Sequence, residues 1–372
     1  TNPDDNDDAL PPEQIPELQP DDSQQPVRSL LSTELVGASV RPLLQTMNEK
    51  QKDIFYYVRD WCVQYANGKD PEPFYLHVTG GAGTGKSHLI KCIYNEATKL
   101  LKNRDDPEQT RVVLTAPTGT AAFNIGGYTI HSVFKIPKNA KAVYEPLSND
   151  SVNTLQAQLS NLKILIIDEV SMVDRKVLAY IHGRLKQIKK LRSSDRESLF
   201  GGVCVLAVGD FYQLPPVKAS PVCLPDFTYG SDMWNDHFQI VSLDEIMRQK
   251  DDAAFAELLN RLRTKSKTEP LSEEDDTILK QRADRLDTPV DALHVFAKNK
   301  SVDAHNTDML LKKCTDPQSI EAEDYSGSVQ SGRHRKLAAP KKGATDDLPD
   351  KLSIGIGARV MLLRNLDVGD GL

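Results

Sequence analysis

The sequence predicts an α/β fold whose first domain is a parallel sheet with helices on both faces, and three observations predict it. Its apolar residues gather in short, nearly continuous runs: Phe74–Val78, Val112–Leu114, Ile164–Ile167 and Val203–Val208. Uninterrupted rather than alternating apolarity belongs to strands covered on both faces, as in parallel sheets. Helical apolar patterns at three- and four-residue spacing lie between or before these runs. Finally, the first run leads straight into a glycine-rich loop and then a helix pattern, Gly80-Gly81-Ala82-Gly83-Thr84-Gly85-Lys86-Ser87.

In chain order, residues 1–30 hold six prolines, eight carboxylates against Arg28, and no aromatic residue. Such a stretch cannot bury enough apolar surface to offset ordering, so 1–44 is expected to be a disordered acidic, proline-rich leader. Its net −7 is the whole formal charge of the 372-residue chain, leaving a neutral body that is compatible with a nucleic-acid partner. A helix is predicted over Met47–Tyr65 from Ile54, Phe55, Val58, Trp61 and Cys62, and another over Ser87–Leu101 from Leu89, Ile90, Ile93, Tyr94, Ala97, Leu100 and Leu101. Arg184–Arg192 carries five positive charges on a helix pattern and reads as a solvated face rather than a DNA track.

A second group of signals begins near Ile240: apolar runs Phe238–Leu243, His294–Ala297 and Val360–Leu363, a helix pattern Phe255–Leu262, and a polar stretch Thr315–Asp350. The expected organisation is therefore 45–240 as the first domain and 241–372 as a second α/β domain. No run approaches the ~20 apolar residues of a membrane-spanning helix. The five cysteines (62, 92, 204, 223, 314) form no C-x-x-C pair and read as reduced thiols of an intracellular protein. A start at Thr1 suggests a piece of something longer.

Three segments carry chemistry. Gly80–Ser87 fits G-x-x-x-x-G-K-[ST] between strand and helix, where backbone N–H groups and a helix N-terminus cradle phosphates. Lys86 would reach the β- and γ-phosphates, and the Ser87 hydroxyl would join a Mg²⁺ shell. Ile164-Leu165-Ile166-Ile167-Asp168-Glu169 delivers two carboxylates at a strand's C-terminal end, where open α/β sheets bind ligands. Asp168 would hold Mg²⁺ and Glu169 would orient and deprotonate a water. The third run ends in Gly209-Asp210-Phe211-Tyr212-Gln213-Leu214-Pro215-Pro216-Val217. Gln213, neutral and able to donate and accept, suits a γ-phosphate sensor.

With Ala116–Ala122, Asn124–Ser132, Leu243–Gln249 and Gly357–Asn365, these motifs resemble, in order, those of the PIF (petite integration frequency, Pif-one-like) DNA helicases, RecD-like members of superfamily 1. The resemblance covers roughly residues 45–372. It implies a P-loop NTPase: a RecA-like parallel-sheet domain followed by a second, truncated RecA-like domain. The family's inserted β-rich domain, its His-Lys-Ser-Gln-Gly-like motif and its last arginine motif find no counterpart before Leu372.

The resemblance further implies an ATP-dependent helicase moving 5′→3′ on single-stranded DNA, with ATP and Mg²⁺ as cofactors. It implies that Gln51 reads the adenine edge, that His88 adjoins the nucleotide, and that Arg248 reaches the γ-phosphate across a cleft. Thr118, Gly119, Asn124, His131, Ser132 and Phe134 lie in segments similar to the family's DNA-binding motifs. Expected partners are single-stranded or forked DNA, with the protein monomeric and not bound to membrane, in the nucleus or the mitochondrion. Repair, recombination, telomere maintenance and Helitron-type transposition are the tasks in view. The rival reading is an ATP-switched DNA-binding module without motor activity.

Overall fold

The computed structural model describes residues 40–103, 106, 109–137, 139–189, 198–225, 232–245, 247, 253–266, 268–283, 292–322, 325–328, 333–336 and 351–360. The expected leader lies outside them up to residue 39; residues 40–44 are instead helical, in α1 (Val40–Gln45). Leu43 and Leu44 give this turn of helix an apolar side that packs on the core.

Six strands make one sheet: β1 (Tyr75–Gly80), β2 (Val112–Ala116), β3 (Tyr128–Thr129), β4 (Ile164–Ile167), β5 (Cys204–Val208) and β6 (Gln239–Leu243). Their order is β3-β2-β4-β5-β1-β6, and every pairing is parallel. The register explains the continuous apolar runs. Ile164 and Ile166 of β4 enter one core with Leu114, Leu206 and Val208, whereas Leu165 and Ile167 enter the other with Val113, Val205 and Ala207. Successive side chains point oppositely, so the inner strands β1, β2, β4 and β5 are buried on both faces, whereas edge strand β6 is largely exposed.

Helices α2 (Glu49–Ala66) and α3 (Lys86–Leu101) cover the first face through Ile54, Phe55, Trp61, Leu89 and Ile93. Helix α4 (Gly119–Ile125) adds Ala122 and Ile125 to it. The short α5 (Ile130–Val133), α6 (Asn149–Leu159) and α7 (Arg175–Lys189) cover the other face through Ile130, Leu155, Tyr180 and Leu185. Arg184 corrects the reading of α7 as a solvated face. It is 2% exposed and donates to the carbonyl oxygens of Phe134 (3.2 Å) and Glu145 (2.6 Å). Residues 190–192 of that stretch lie outside the described residues.

The chain divides into two compact units, with the break at Asp275 rather than at 240. Strand β6, expected to open the second domain, is the sixth strand of the first sheet, pairing with β1 from Leu76↔Gln239 to Gly80↔Leu243. Helix α8 (Ala253–Thr264) stays with that unit, where Ala256 and Leu258 are buried. The strand's pairing with β1 and the helix's buried residues tie both to this unit, which moves the boundary toward the C-terminus.

Helix α9 (Glu273–Ala283) crosses that boundary. Past it the second unit holds α10 (Asn299–Lys313) and two antiparallel pairs. These pairs are β7 (Thr315–Glu321) with β10 (Lys351–Ile356), and β8 (Tyr325–Ser328) with β9 (Arg333–Lys336). Among its described residues there is no parallel pair, and the run expected as a strand at His294–Ala297 is not one. Of these strands β7 is polar and exposed throughout. Of Val360–Leu363, only Val360 lies within the described residues, and it is not in a strand.

Candidate functional site

The C-terminal ends of the parallel strands present the chemistry-bearing loops on one edge of the sheet. After β1 the chain curls through Gly81–Gly85 into α3. Gly85 precedes the helix in the left-handed region (φ 80°), and a Cβ there would run into the Gln51 amide nitrogen, so glycine is required twice over. Thr84, 2% exposed, donates its hydroxyl to Gly81 O (3.0 Å) and closes the loop on itself. Met247 N donates to Gly83 O (2.8 Å), laying the segment after β6 against the same loop.

Lys86 folds back over this loop and donates from Nζ to Gly80 O and Gly81 O, each at 2.8 Å. Burial lowers its pKa, while the charges of Asp210, Glu169 and Asp168 act in the opposite sense. The ammonium is thus held within a turn of N–H groups, facing acids, by carbonyls that phosphate oxygens can replace. That arrangement fits a triphosphate.

At the end of β4, Asp168 is 6% exposed and accepts from the Glu169 N–H (2.9 Å). Burial raises its carboxyl to about 6, with the Glu169 charge adding and Lys86 opposing. A divalent cation would restore its ionised form, and Ser87, exposed, lines the same cavity as Asp168. Glu169 adopts φ 51°, ψ 44°, a left-handed conformation that costs a non-glycine residue about 1–3 kcal/mol and ends the run of the strand. Gly209 at the end of β5 makes room for this turn, since a Cβ there would lie 2.8 Å from Val170 N.

The β5 loop is organised by Asp210, which is fully buried. It accepts from Tyr212 N (3.1 Å), from Gln213 Nε2 (3.3 Å) and from Arg263 Nη1 (2.6 Å). Arg263, on α8, also lies over the Tyr212 ring at 5.2 Å and against Gly81. Ser87, Thr118, Asn124, Asp168, Glu169 and Gln213 all line one cavity of about 640 Å³.

The sequence-predicted residues are brought together unequally. Lys86, Ser87, Asp168, Glu169 and Gln213 converge on that cavity and its loop. Gln51 does not offer a free edge. It is 1% exposed, its Oε1 accepts from Asn48 N (3.1 Å) in a capping box, and its Nε2 donates to Thr84 O (2.9 Å). It braces α2 against the phosphate loop. His88 contacts Thr46 and Leu43 O of the α1 region, at 3.1 Å each. Arg248 lies outside the described residues.

On the DNA side, Thr118 caps α4 by accepting from Ala121 N (3.3 Å), and Gly119 and Asn124 are exposed on the same helix. His131 lines a smaller cavity of about 190 Å³ together with Thr118, Lys176 and Pro216, and Ser132 is exposed nearby. Phe134 is corrected: it is fully buried among Ile130, Tyr180 and Phe200 and cannot receive a base. The exposed ring of this edge is Phe123 (82% exposed), with Tyr212 and Leu214 beside the cavity. Sequence reasoning missed Phe123 and Arg263. A large ring in the midst of small residues (Thr120, Ala121, Ala122 and Asn124) was the available signal for Phe123, whereas nothing local marks Arg263.

The family model of PIF1-like helicases matches residues 46–269. The chain is 32% identical to the ATP-dependent DNA helicase PIF1 of Emericella nidulans over 78% of its length, spanning 37% of that relative. It is 30% identical to ATP-dependent DNA helicase Pif1 of Bdellovibrio bacteriovorus, again over 78%, spanning 60% of it. Among solved structures, Pif1 helicase from Candida albicans superposes with a TM-score of 0.59 at 26% identity, covering 84% of this chain and 64% of that one. Bacteroides Pif1 bound to ssDNA gives 0.59 at 25% identity, covering 87% and 67%. These are P-loop proteins of the RecA-like α/β class, as is the sheet described above. With the matched segment running from α2 through α8, the chain belongs to the PIF1-like helicase family.

Proposed function

We propose that the chain carries the nucleotide-driven part of an ATP-dependent DNA helicase that moves 5′→3′ along single-stranded DNA. It spans 37%, 32% and 31% of three of the relatives it matches, so the activity of the whole protein is part of this proposal. One observation carries it: the hydrolytic acids Asp168 and Glu169 and the DNA-side residues Thr118 and Asn124 line the same cavity. A change in phosphate occupancy on one wall therefore meets the DNA grip on the other.

In this reading Lys86 leaves the Gly80 and Gly81 carbonyls for the β- and γ-phosphates. Ser87 and Asp168 would hold Mg²⁺, which would neutralise phosphate charge. Glu169 accepts a proton from water at its carboxylate, and Gln213, tied to Asp210, registers whether the γ-phosphate is present. Thr118 and Gly119 offer a hydroxyl and a backbone N–H to DNA phosphates, contacts that carry no sequence information. Forked DNA as substrate, a monomeric state and a nuclear or mitochondrial site of action complete the proposal, as do repair, recombination or telomere tasks or a place in a Helitron-type transposase. Among the described residues no helix is long and apolar enough to cross a membrane.

The test is ATP turnover with and without single-stranded DNA, followed by strand displacement on duplexes tailed at the 5′ or the 3′ end. DNA-stimulated turnover with release only from the 5′-tailed duplex supports the proposal. Stimulated turnover with no strand release reduces the chain to an ATP-switched binding module, and turnover indifferent to DNA removes the helicase reading.

A further inference from the structure

The edge of the sheet opposite the phosphate loop gathers cations that the nucleotide chemistry does not use. Arg111 immediately precedes β2 and Lys163 immediately precedes β4, and these strands are paired from Val112↔Ile164 onward. The backbone ties the two residues together, Lys163 N donating to Arg111 O (2.8 Å). Both side chains converge on one phenol. Arg111 Nη1 donates to the Tyr65 hydroxyl at 3.4 Å, and Lys163 Nζ stands 4.5 Å from the centre of the Tyr65 ring. Tyr65 is itself stacked on Trp61 at 5.6 Å, so its position is fixed.

Lys189, at the end of α7, brings a third cation, its Nζ donating to Ser160 O (2.8 Å) and Leu162 O. Among the described residues none of Arg111, Lys163 and Lys189 has a carboxylate within ion-pair distance. Arg111 Nε is buried and lacks a hydrogen-bond partner there. The charges feel one another: burial pushes Lys189 down to about 7, and Lys163 and Arg111 push in the same direction. Burial would raise the Tyr65 phenol, yet hydrogen bonds and charge from Lys163 and Arg111 outweigh it and lower its pKa.

Beside this cluster opens a cavity of about 850 Å³ lined by Tyr65, Lys69, Lys102 and Arg111, with Asp70 as the acid among its described lining residues. Like charges collected without counter-charge cost stability unless something anionic joins them. An arginine fork beside two ammonium groups matches the several oxygens of a phosphate better than a single carboxylate.

We propose that Arg111 and Lys163, backed by Lys69 and Lys102 at the cavity rim, form a phosphate-binding site at the opposite sheet edge from the P-loop. Its ligand is a phosphate group, either in a nucleic-acid backbone or free in solution. The β4 strand between the two edges is about 13 Å long, so this site and the nucleotide site do not share ligands.

The test compares Lys86→Ala, in which the P-loop no longer competes for phosphate, with the same chain also carrying Arg111→Gln and Lys163→Gln. Thermal unfolding is followed in inorganic phosphate and in chloride of equal ionic strength. Phosphate is expected to raise the Tm of the first protein beyond chloride, and the excess is expected to vanish in the second. Without phosphate the second protein should melt no lower than the first, because a like-charge cluster has been relieved. A chain with Arg111→Lys and Lys163→Arg should recover the phosphate effect.

Oligonucleotide binding by fluorescence anisotropy at several salt concentrations then separates the sources. If the ligand is backbone phosphate, the slope of log affinity against log salt falls by about two in the Gln variant. A lost phosphate effect with an unchanged slope assigns the site to free phosphate. A phosphate shift of equal size in both proteins, or a Gln variant that melts lower irrespective of phosphate, overturns the proposal.

Discussion

Arg263 on α8 and the fully buried Asp210 at the end of β5 form an ion pair of 2.6 Å directly over the phosphate loop. The pair joins the helix after the edge strand to the loop bearing Gln213, so a phosphate that drew Arg263 away would loosen both at once. Asp210 is fully buried, and an unpaired buried carboxylate is costly.

Arg263→Ala is accordingly expected to destabilise the chain by about 1–3 kcal/mol, less than the roughly 3–5 kcal/mol of a fully buried broken pair because Arg263 is partly exposed. Asp210→Asn added to Arg263→Ala should recover part of that loss. Urea unfolding of the two single variants and the double variant measures the coupling. Strict additivity would show that the pair carries no interaction.

Glu169→Gln keeps the size and hydrogen-bonding reach of the side chain but removes its proton-accepting capacity. It should leave nucleotide binding within a few-fold of the parent and slow turnover by about 10²–10⁴, the usual range for a general base. Parallel binding and turnover measurements check this. Unchanged turnover would take Glu169 out of the chemistry.

Burial pushes the His77 imidazole down to about 4, where it packs between Phe211 (4.8 Å) and Trp234 (5.2 Å). Between pH 6.5 and 4 the unfolded chain therefore binds a proton that the folded chain resists. Stability from this group is complete above about pH 6.5 and lost as pH falls toward 4, by as much as about 3 kcal/mol. His182, lowered to about 4 by burial first, adds in the same direction. His77→Phe should flatten the acid limb of a Tm-against-pH curve, and an acid limb as steep as the parent's would contradict the assignment.

Phe123 and Phe134 should separate cleanly. Phe134→Ala empties a core position and is expected to cost about 3–5 kcal/mol of stability. Phe123→Ala removes an exposed ring, should leave unfolding unchanged, and should weaken single-stranded DNA binding by about 1–3 kcal/mol if a base rests on it. Anisotropy titrations alongside urea unfolding read both. Equal DNA affinity for Phe123→Ala and the parent would leave the DNA without that support.

Much of the first sheet was legible in the sequence because parallel strands leave an unmistakable trace. Ile164–Ile167 must be apolar at all four positions when Ile164 and Ile166 enter one core while Leu165 and Ile167 enter the other. The phosphate loop and the Asp168–Glu169 pair were legible because their spacing is local. What depends on tertiary contact was not. Gln51 on a helix gives no sign that both its amide atoms are engaged, by Asn48 and Thr84. Phe134 reads equally as a core or a stacking ring, and only packing against Ile130 and Phe200 decides. Strand β6, at the sheet edge with Ile240 exposed, was placed in the wrong half because its partner β1 lies some 160 residues earlier.

The central claim is that Lys86 and the loop preceding it hold a triphosphate. Calorimetric titration of a non-hydrolysable ATP analogue with Mg²⁺, into the parent chain and into Lys86→Ala, addresses it most directly. The expected result is binding to the parent and an affinity about 10–100-fold lower for the variant, the loss of one charged contact. Equal affinities, or heat from neither protein, would contradict it.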